Sequence, residues 1–289
     1  MATLDSTQEV APVLRLLGVF SRSTPYFKGK WRLMEWLFRR WIHRWRVVGD
    51  VQLNPSIRLT CKLWDEVQFG IWWGGETYEC IQTQYFKSLV RPGDVFFDIG
   101  SNIGYYSLTA APLVGPGGKI YAFEPAAQQF TLLKGNIARN GLGQVEPVQL
   151  ALSDCSGPGV LHLDDVFNTG SAALRRGTAA GPHEETVTCT TLDDFVDSRH
   201  LDRIDVMKID VEGFEMNVLR GGCRTLERLR PTLLIEVKEH HLQQGGSSRE
   251  DLYVYLRSLG YTSFRIKRQG RLEQIQEPED GVLVVFRAR

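Results

Sequence analysis

DVFFDIGSNIG, residues 94–104, is the stretch on which the fold turns. DVFFDIG reads as a buried strand, because its apolar run is continuous rather than alternating. Gly100 and Gly104 then let the backbone turn tightly and approach a ligand with no Cβ in the way. YYSLTAAPLV, residues 105–114, reads as a helix opened by that turn and stopped by GPGG. Its free amides favour a carboxylate or phosphate. In an open α/β sheet, ligands bind at the carboxyl ends of the strands, near the point where strand order reverses.

The same period runs outward from this stretch. KIYAF (119–123) is a strand, Ala126 to Arg139 a helix ended by Asn140 and Gly141, and VEPVQLAL (145–152) a third strand. Ser156 to Thr190 interrupts with two β-like pieces, GVLHL and ETVTCT, expected to form a hairpin or flap. Alternation resumes with IDVMKID, a helix from Phe214 to Leu226, TLLIEV, a helix from Ser248 to Leu259, YTSFRI and GVLVVFRA. The expectation is a doubly wound α/β fold with a mostly parallel, seven-stranded sheet and a β-hairpin insertion at about 156–190. Upstream, VQLNPSIRLTCKL (51–63) suggests paired short strands, and Glu76 to Val90 a helix closed by Pro92 and Gly93. This divides the chain into an N-terminal arm (1–47), a small β/helix lead-in (48–90) and the main domain (91–289).

A chain of 289 residues with 43% hydrophobic content can bury a substantial core. Its 34 basic residues balance 34 acidic ones, so no overall field draws it to nucleic acid. Five cysteines (61, 80, 155, 189 and 223) form no Cys-x-x-Cys pair, which points to reduced thiols and a cytoplasmic setting. Asp5 and Glu9 stand where a signal peptide carries positive charge, and no window approaches the ~20 apolar residues that cross a bilayer.

Charge is concentrated in one place. Arg22 to Arg46 holds eight basic residues against Glu35 alone, a local net of +7. Met34, Leu37, Phe38, Trp41 and Trp45 recur there at helical spacing, so a basic amphipathic helix is predicted. It is expected to dock on the protein or in a homodimer. The alternative is peripheral contact with a membrane, with Trp31, Trp36, Trp41 and Trp45 at the interface.

The spacing of the glycine turn separates cofactors. A dinucleotide site wants G-x-G-x-x-G, whereas here Gly100, Ser101, Asn102 and Gly104 follow the acidic Asp98. Asp98 is poorly placed for a pyrophosphate and well placed for an ammonium group, which S-adenosyl-L-methionine (SAM) carries. Twenty residues beyond Gly104, Glu124 ends the second strand, where a carboxylate accepts hydrogen bonds from ribose hydroxyls. Asp154, after the third strand, is within reach of an adenine amino group on this reading. Each feature alone also fits a turn or a solvated strand end; their order after successive strands makes the cofactor site.

DIGSNIGYYSL, AFEP, NIARNGL, ALSD, TLDDF, MKIDVEGFEMNVLRGG and LLIEV, in this order, resemble the FkbM family of SAM-dependent methyltransferases. The resemblance covers about residues 79–237, and KIDVEGFE is its most specific run. It implies a class I methyltransferase (Rossmann-like) sheet with an antiparallel last strand, and methyl transfer to a hydroxyl oxygen of sugars or polyketide-type natural products. Ser101 stands where the family usually has alanine.

Methyl transfer to a hydroxyl needs an aligned acceptor and a group that takes its proton. Asp210, at the end of the fourth strand, is the first candidate, and Lys208 shares its strand face and is placed to pair with it. Glu212 is placed to orient the acceptor or Lys208. His240 and His241 are second choices as base. Acidic residues just before a helix also serve as plain caps. Asp210, Glu212 and Glu236 form a carboxylate set suited to a divalent cation; that reading is not favoured, and no metal ligand is assigned. The expected partner is a small-molecule or glycan acceptor. Competing readings are a SAM-binding sensor or scaffold without chemistry, and a nicotinamide-dependent oxidoreductase.

Overall fold

Alternation of side chains along buried strands sends successive residues to opposite faces of a sheet, and this chain uses both. The structure, a computed structural model, describes residues 12–23, 29–42, 46–163, 172–175, 181 and 183–288. The arm contributes α1 (Pro12–Ser23) and α2 (Lys30–Arg40), and the lead-in an antiparallel ribbon of β1 (Val48–Asn54) and β2 (Ile57–Lys62), then α3 (Glu66–Gly74) and α4 (Cys80–Leu89). Next come β3 (Val95–Ile99), α5 (Tyr105–Val114), β4 (Lys119–Phe123), α6 (Ala127–Arg139) and β5 (Val145–Val148). A side sheet takes β6 (Ala151–Leu152), β7 (Gly157–Leu163), β8 (Ala172–Arg175) and β9 (Glu184–Thr190). The remainder is α7 (Leu192–Ser198), β10 (Val206–Ile209), α8 (Glu215–Arg220), α9 (Cys223–Leu229), β11 (Thr232–Val237), α10 (Glu239–Gln244), α11 (Arg249–Ser258), β12 (Tyr261–Ile266), β13 (Leu272–Gln274) and β14 (Val282–Ala288).

The main sheet has the order β13-β12-β14-β11-β10-β3-β4-β5. The strands from β5 to β11 run parallel, and β14 is antiparallel to both neighbours, as the resemblance implies. Seven of these strands are those predicted. The eighth, β13, is a three-residue edge strand paired with β12, too short and too polar to announce itself. Phe96, Ile120, Val206, Leu234 and Val285 point into one core, beneath α2 to α6. Phe97, Tyr121, Met207, Leu233 and Phe286 point into the other, beneath α7 to α11. The first core runs without a break from Met34 and Phe38 through Val51 and Leu59 to Ile120, so the three predicted segments share one apolar interior.

Several boundaries differ from expectation for physical reasons. VEPVQLAL is two strands: β5 ends at Val148, and β6 turns away to pair with β9. The insertion is therefore more than a hairpin, since β7 and β8 join β9 and β6 in a four-stranded sheet. The helix expected over Phe214–Leu226 is split at Gly221 and Gly222, where a Cβ on Gly221 would sit 2.0 Å from the Ser153 carbonyl oxygen. The helix expected from Glu76 begins only at Cys80, after a 3₁₀ turn. α3 was not predicted; its residues from Gln68 to Gly74 are all buried, so no amphipathic stripe marks it.

Among its described residues the arm holds two helices rather than one. Met34, Phe38 and Ile42 are buried, and Phe38 stacks on Phe69 of α3 at 5.6 Å between ring centroids. Trp41, expected on that face, is instead exposed, because the chain leaves helical geometry there (φ −137°). Trp45 lies outside the described residues, as does the side chain of Trp31. Among the described residues no helix is long and apolar enough to cross a membrane.

Candidate functional site

β3 lies beside β10, the strand to which the chain returns after β4, β5 and the side sheet, so the order of the main sheet reverses between them. At this switch point, where ligands bind in open α/β sheets, a cavity of about 230 Å³ opens. Its walls include Asp98, Gly100, Ser101, Asn102, Glu124, Lys208, Asp210 and Glu212.

The glycine turn is fixed by its neighbours. Gly100 has φ +82°, and a Cβ there would lie 1.9 Å from the Asp210 carbonyl oxygen, so the loops after β3 and β10 come together at a spacing that only glycine allows. The amides of Gly100 and Ser101 donate to the Phe123 carbonyl at 3.1 and 2.8 Å. Glu124 closes the turn: its two carboxylate oxygens accept from the amides of Asn102 and Ala126, each at 2.9 Å. Burial raises the Glu124 carboxyl to about 7 against those two hydrogen bonds. Each oxygen keeps a second lone pair for a ligand hydroxyl. Gly104 has φ +94° and caps α5.

Asp98 is 1% exposed. Its Oδ2 accepts from the Ser107 hydroxyl at 2.6 Å, while Oδ1 is buried without a hydrogen-bond partner. Burial pushes its carboxyl up, and the Lys208 ammonium opposes that. A buried, unpaired carboxylate oxygen facing a cavity fits a cationic group of a ligand. The Asn102 side-chain oxygen is likewise buried and unpaired, and Asn102 takes φ +49°. The chemistry of these residues suits SAM: Asp98 would meet its ammonium and Glu124 its ribose hydroxyls.

The opposite wall carries charge in pairs. Lys208, 4% exposed, donates to Asp210 Oδ2 at 2.7 Å and lies 4.7 Å from the centroid of the Tyr106 ring. Burial pushes the Asp210 carboxyl up, but the Lys208 charge and hydrogen bonds from Lys208 and Glu236 outweigh it and hold it below its usual range. Glu236 is raised to about 9 by burial and by the Asp210 charge, although Lys238 lies 2.7 Å away. Glu212, also with positive φ (+50°), is raised to about 7 by burial and by Asp210, and meets His241 Nδ1 at 2.5 Å. Glu215 braces this loop from below, accepting from the amides of Val211 and Gly213.

Not every expected residue reaches the cavity. Asp154 is not among its lining residues; β6 leaves the main sheet and carries it to the side sheet. His240 is exposed and outside the lining, whereas His241 reaches Glu212. Asp210, Glu212 and Glu236 are spaced to share an ion, but Lys208 and Lys238 already supply cations to that group.

Sequence reasoning missed Glu79, Tyr106 and Lys238. Glu79, at φ +45°, accepts from the Tyr106 hydroxyl at 2.5 Å, and burial raises its carboxyl. Nothing in TYEC announces a site residue, whereas two tyrosines directly after Gly104 are a signal that could have been used. Of the five non-glycine residues with positive φ among those described, Glu79, Asn102 and Glu212 line the cavity. Strained backbone gathers at functional sites.

Several known proteins are similar to this chain. A hexuronic acid methyltransferase of Haloferax volcanii is 34% identical over 136 residues, covering 46% of this chain and 52% of that protein. The 31-O-demethyl-FK506 methyltransferase of Streptomyces tacrolimicus is 34% identical over 160 residues, covering 46% of this chain and 60% of the relative. The matches thus span little more than half the length of these relatives. A crystal structure of an FkbM methyltransferase from Methylobacillus flagellatus superposes with a TM-score of 0.45 at 15% identity, over 77% of this chain and 54% of the other. The family described as the methyltransferase FkbM domain matches residues 98–263, which include the glycine turn, Glu124 and the whole of KIDVEGFE, and the chain belongs to that family.

Proposed function

We propose that this protein is a SAM-dependent methyltransferase that modifies a hydroxyl oxygen of a sugar, glycolipid or natural product. The observation that carries the reading is the unpaired Oδ1 of buried Asp98 beside a glycine turn that admits no Cβ, with Glu124 at the next strand end. SAM supplies an activated sulfonium methyl when bound. Asp98 and Glu124 hold the two halves of that molecule, and the Glu79–Lys208–Asp210–Glu212 wall receives the acceptor. The two relatives are named for methylating a hexuronic acid and 31-O-demethyl-FK506, which supports a hydroxylated acceptor.

The wall divides the work between carboxylates. Asp210 stays ionised beside Lys208, so it suits orienting an acceptor hydroxyl. Glu212, raised to about 7 and 2.5 Å from His241 Nδ1, is the better proton acceptor. Calorimetry should show binding of SAM and its demethylated product but not of NAD. Methyl-labelled SAM incubated with metabolite extracts should label a hydroxylated acceptor, read by mass spectrometry. With that acceptor, Glu212→Gln should lower turnover by about 10²–10⁴-fold while leaving SAM affinity nearly unchanged. Full turnover in Glu212→Gln and loss in Asp210→Asn would return the base role to Asp210. Binding of NAD in place of SAM would overturn the assignment.

A further inference from the structure

The arm carries a surface that methyl transfer leaves unused. α2 turns Lys30, Met34 and Phe38 inward toward the body of the protein, and its opposite face presents Arg32, Leu33, Trp36, Arg39 and Arg40. Trp36 is 58% exposed, and Trp41, just past the helix, is 50% exposed with the Arg40 guanidinium 4.9 Å from its ring centroid. On α1, Leu16 and Val19 share a face at three-residue spacing and are 70% and 55% exposed. Glu35 is the one acidic residue between Lys30 and Arg46.

This combination selects among partners. Large apolar side chains standing in water favour a surface that buries them. Guanidiniums interleaved with them disfavour a purely apolar protein face, since burial would strand their charge. Anionic headgroups above acyl chains satisfy both: phosphates take the arginines, and indole rings sit at the boundary.

We propose that the α1–α2 arm seats on an anionic phospholipid surface, with Arg32, Arg39 and Arg40 at the phosphates and Leu33, Trp36 and Trp41 at the headgroup–acyl boundary. Both arm helices pack on α3, and Val67 and Ile71 of α3 line the cavity. The seated arm therefore lies on a helix that forms part of the cavity wall.

Co-sedimentation of the full chain with vesicles tests this. It should pellet with phosphatidylcholine mixed with phosphatidylglycerol and not with phosphatidylcholine alone, and added salt should release it. Arg32→Glu, Arg39→Glu and Arg40→Glu together should weaken partitioning by at least about a hundred-fold. Trp36→Ala should weaken it about tenfold. Unchanged circular dichroism and melting temperature in both variants would show that folding is intact. The proposal is overturned if the full chain stays in the supernatant with anionic vesicles at low salt, or binds neutral vesicles equally. Sedimentation velocity that shows a dimer dissolved by Trp36→Ala, with no vesicle binding, would assign the face to a second copy of the chain.

Discussion

At the scale of single residues, Asp98 concentrates the argument. A carboxylate with one oxygen satisfied by Ser107 and the other buried and unpaired is held in readiness for a cation, and desolvation makes its contact with that cation strong. Asp98→Ala removes a charge-assisted hydrogen bond worth ~1.5–3 kcal/mol, so SAM affinity should fall about 10–100-fold. Titration calorimetry measures it, and unchanged affinity would detach Asp98 from the cofactor. Asp98 was legible in the sequence because a strand end and two glycines fix where it stands. Glu79 was not, because it enters the site through the left-handed turn before α4 and its contact with Tyr106, 27 residues away.

At the scale of elements, the break between α8 and α9 decides how the side sheet meets the main domain. Gly221 packs against the Ser153 carbonyl just after β6, and its own carbonyl accepts from the Asp193 amide at 2.9 Å. Gly221→Ala should therefore destabilise by ~1–3 kcal/mol, the usual cost of overpacking. Gly135 of α6 offers the contrast. A Cβ there meets nothing within 4 Å, so Gly135→Ala should stabilise by ~0.5–1 kcal/mol through helix propensity. Thermal melts of the two variants should move in opposite directions; equal shifts would remove the packing argument. Helical periodicity ran straight through Gly221, since a local pattern carries no record of a carbonyl supplied by a distant loop.

At the scale of the whole molecule, burial of carboxyls ties stability to pH. Glu124, Glu212 and Glu215 are raised to about 7, each first by burial, and Glu236 to about 9. A folded pKa above the unfolded one gives stability that is fully present below the unfolded value, near 4.5, and is lost as pH rises through the folded value. The melting temperature should therefore fall between roughly pH 5 and pH 8. Glu215→Gln keeps an oxygen for the Val211 and Gly213 amides but cannot ionise, so it should flatten that fall. An unaltered pH profile in this variant would show that Glu215 does not titrate in the window. The sequence by itself determined the strand–helix alternation, the glycine turn with Asp98 and Glu124, and the KIDVEGFE run, because each is set by periodicity or by residues adjacent along the chain. Only the tertiary structure decided that Asp154 leaves the cleft, that Glu79 and Lys238 join it, and that His240 stands outside it. Those placements depend on where distant strands and loops pack, and on how burial and neighbouring charges then set each group's affinity for a proton.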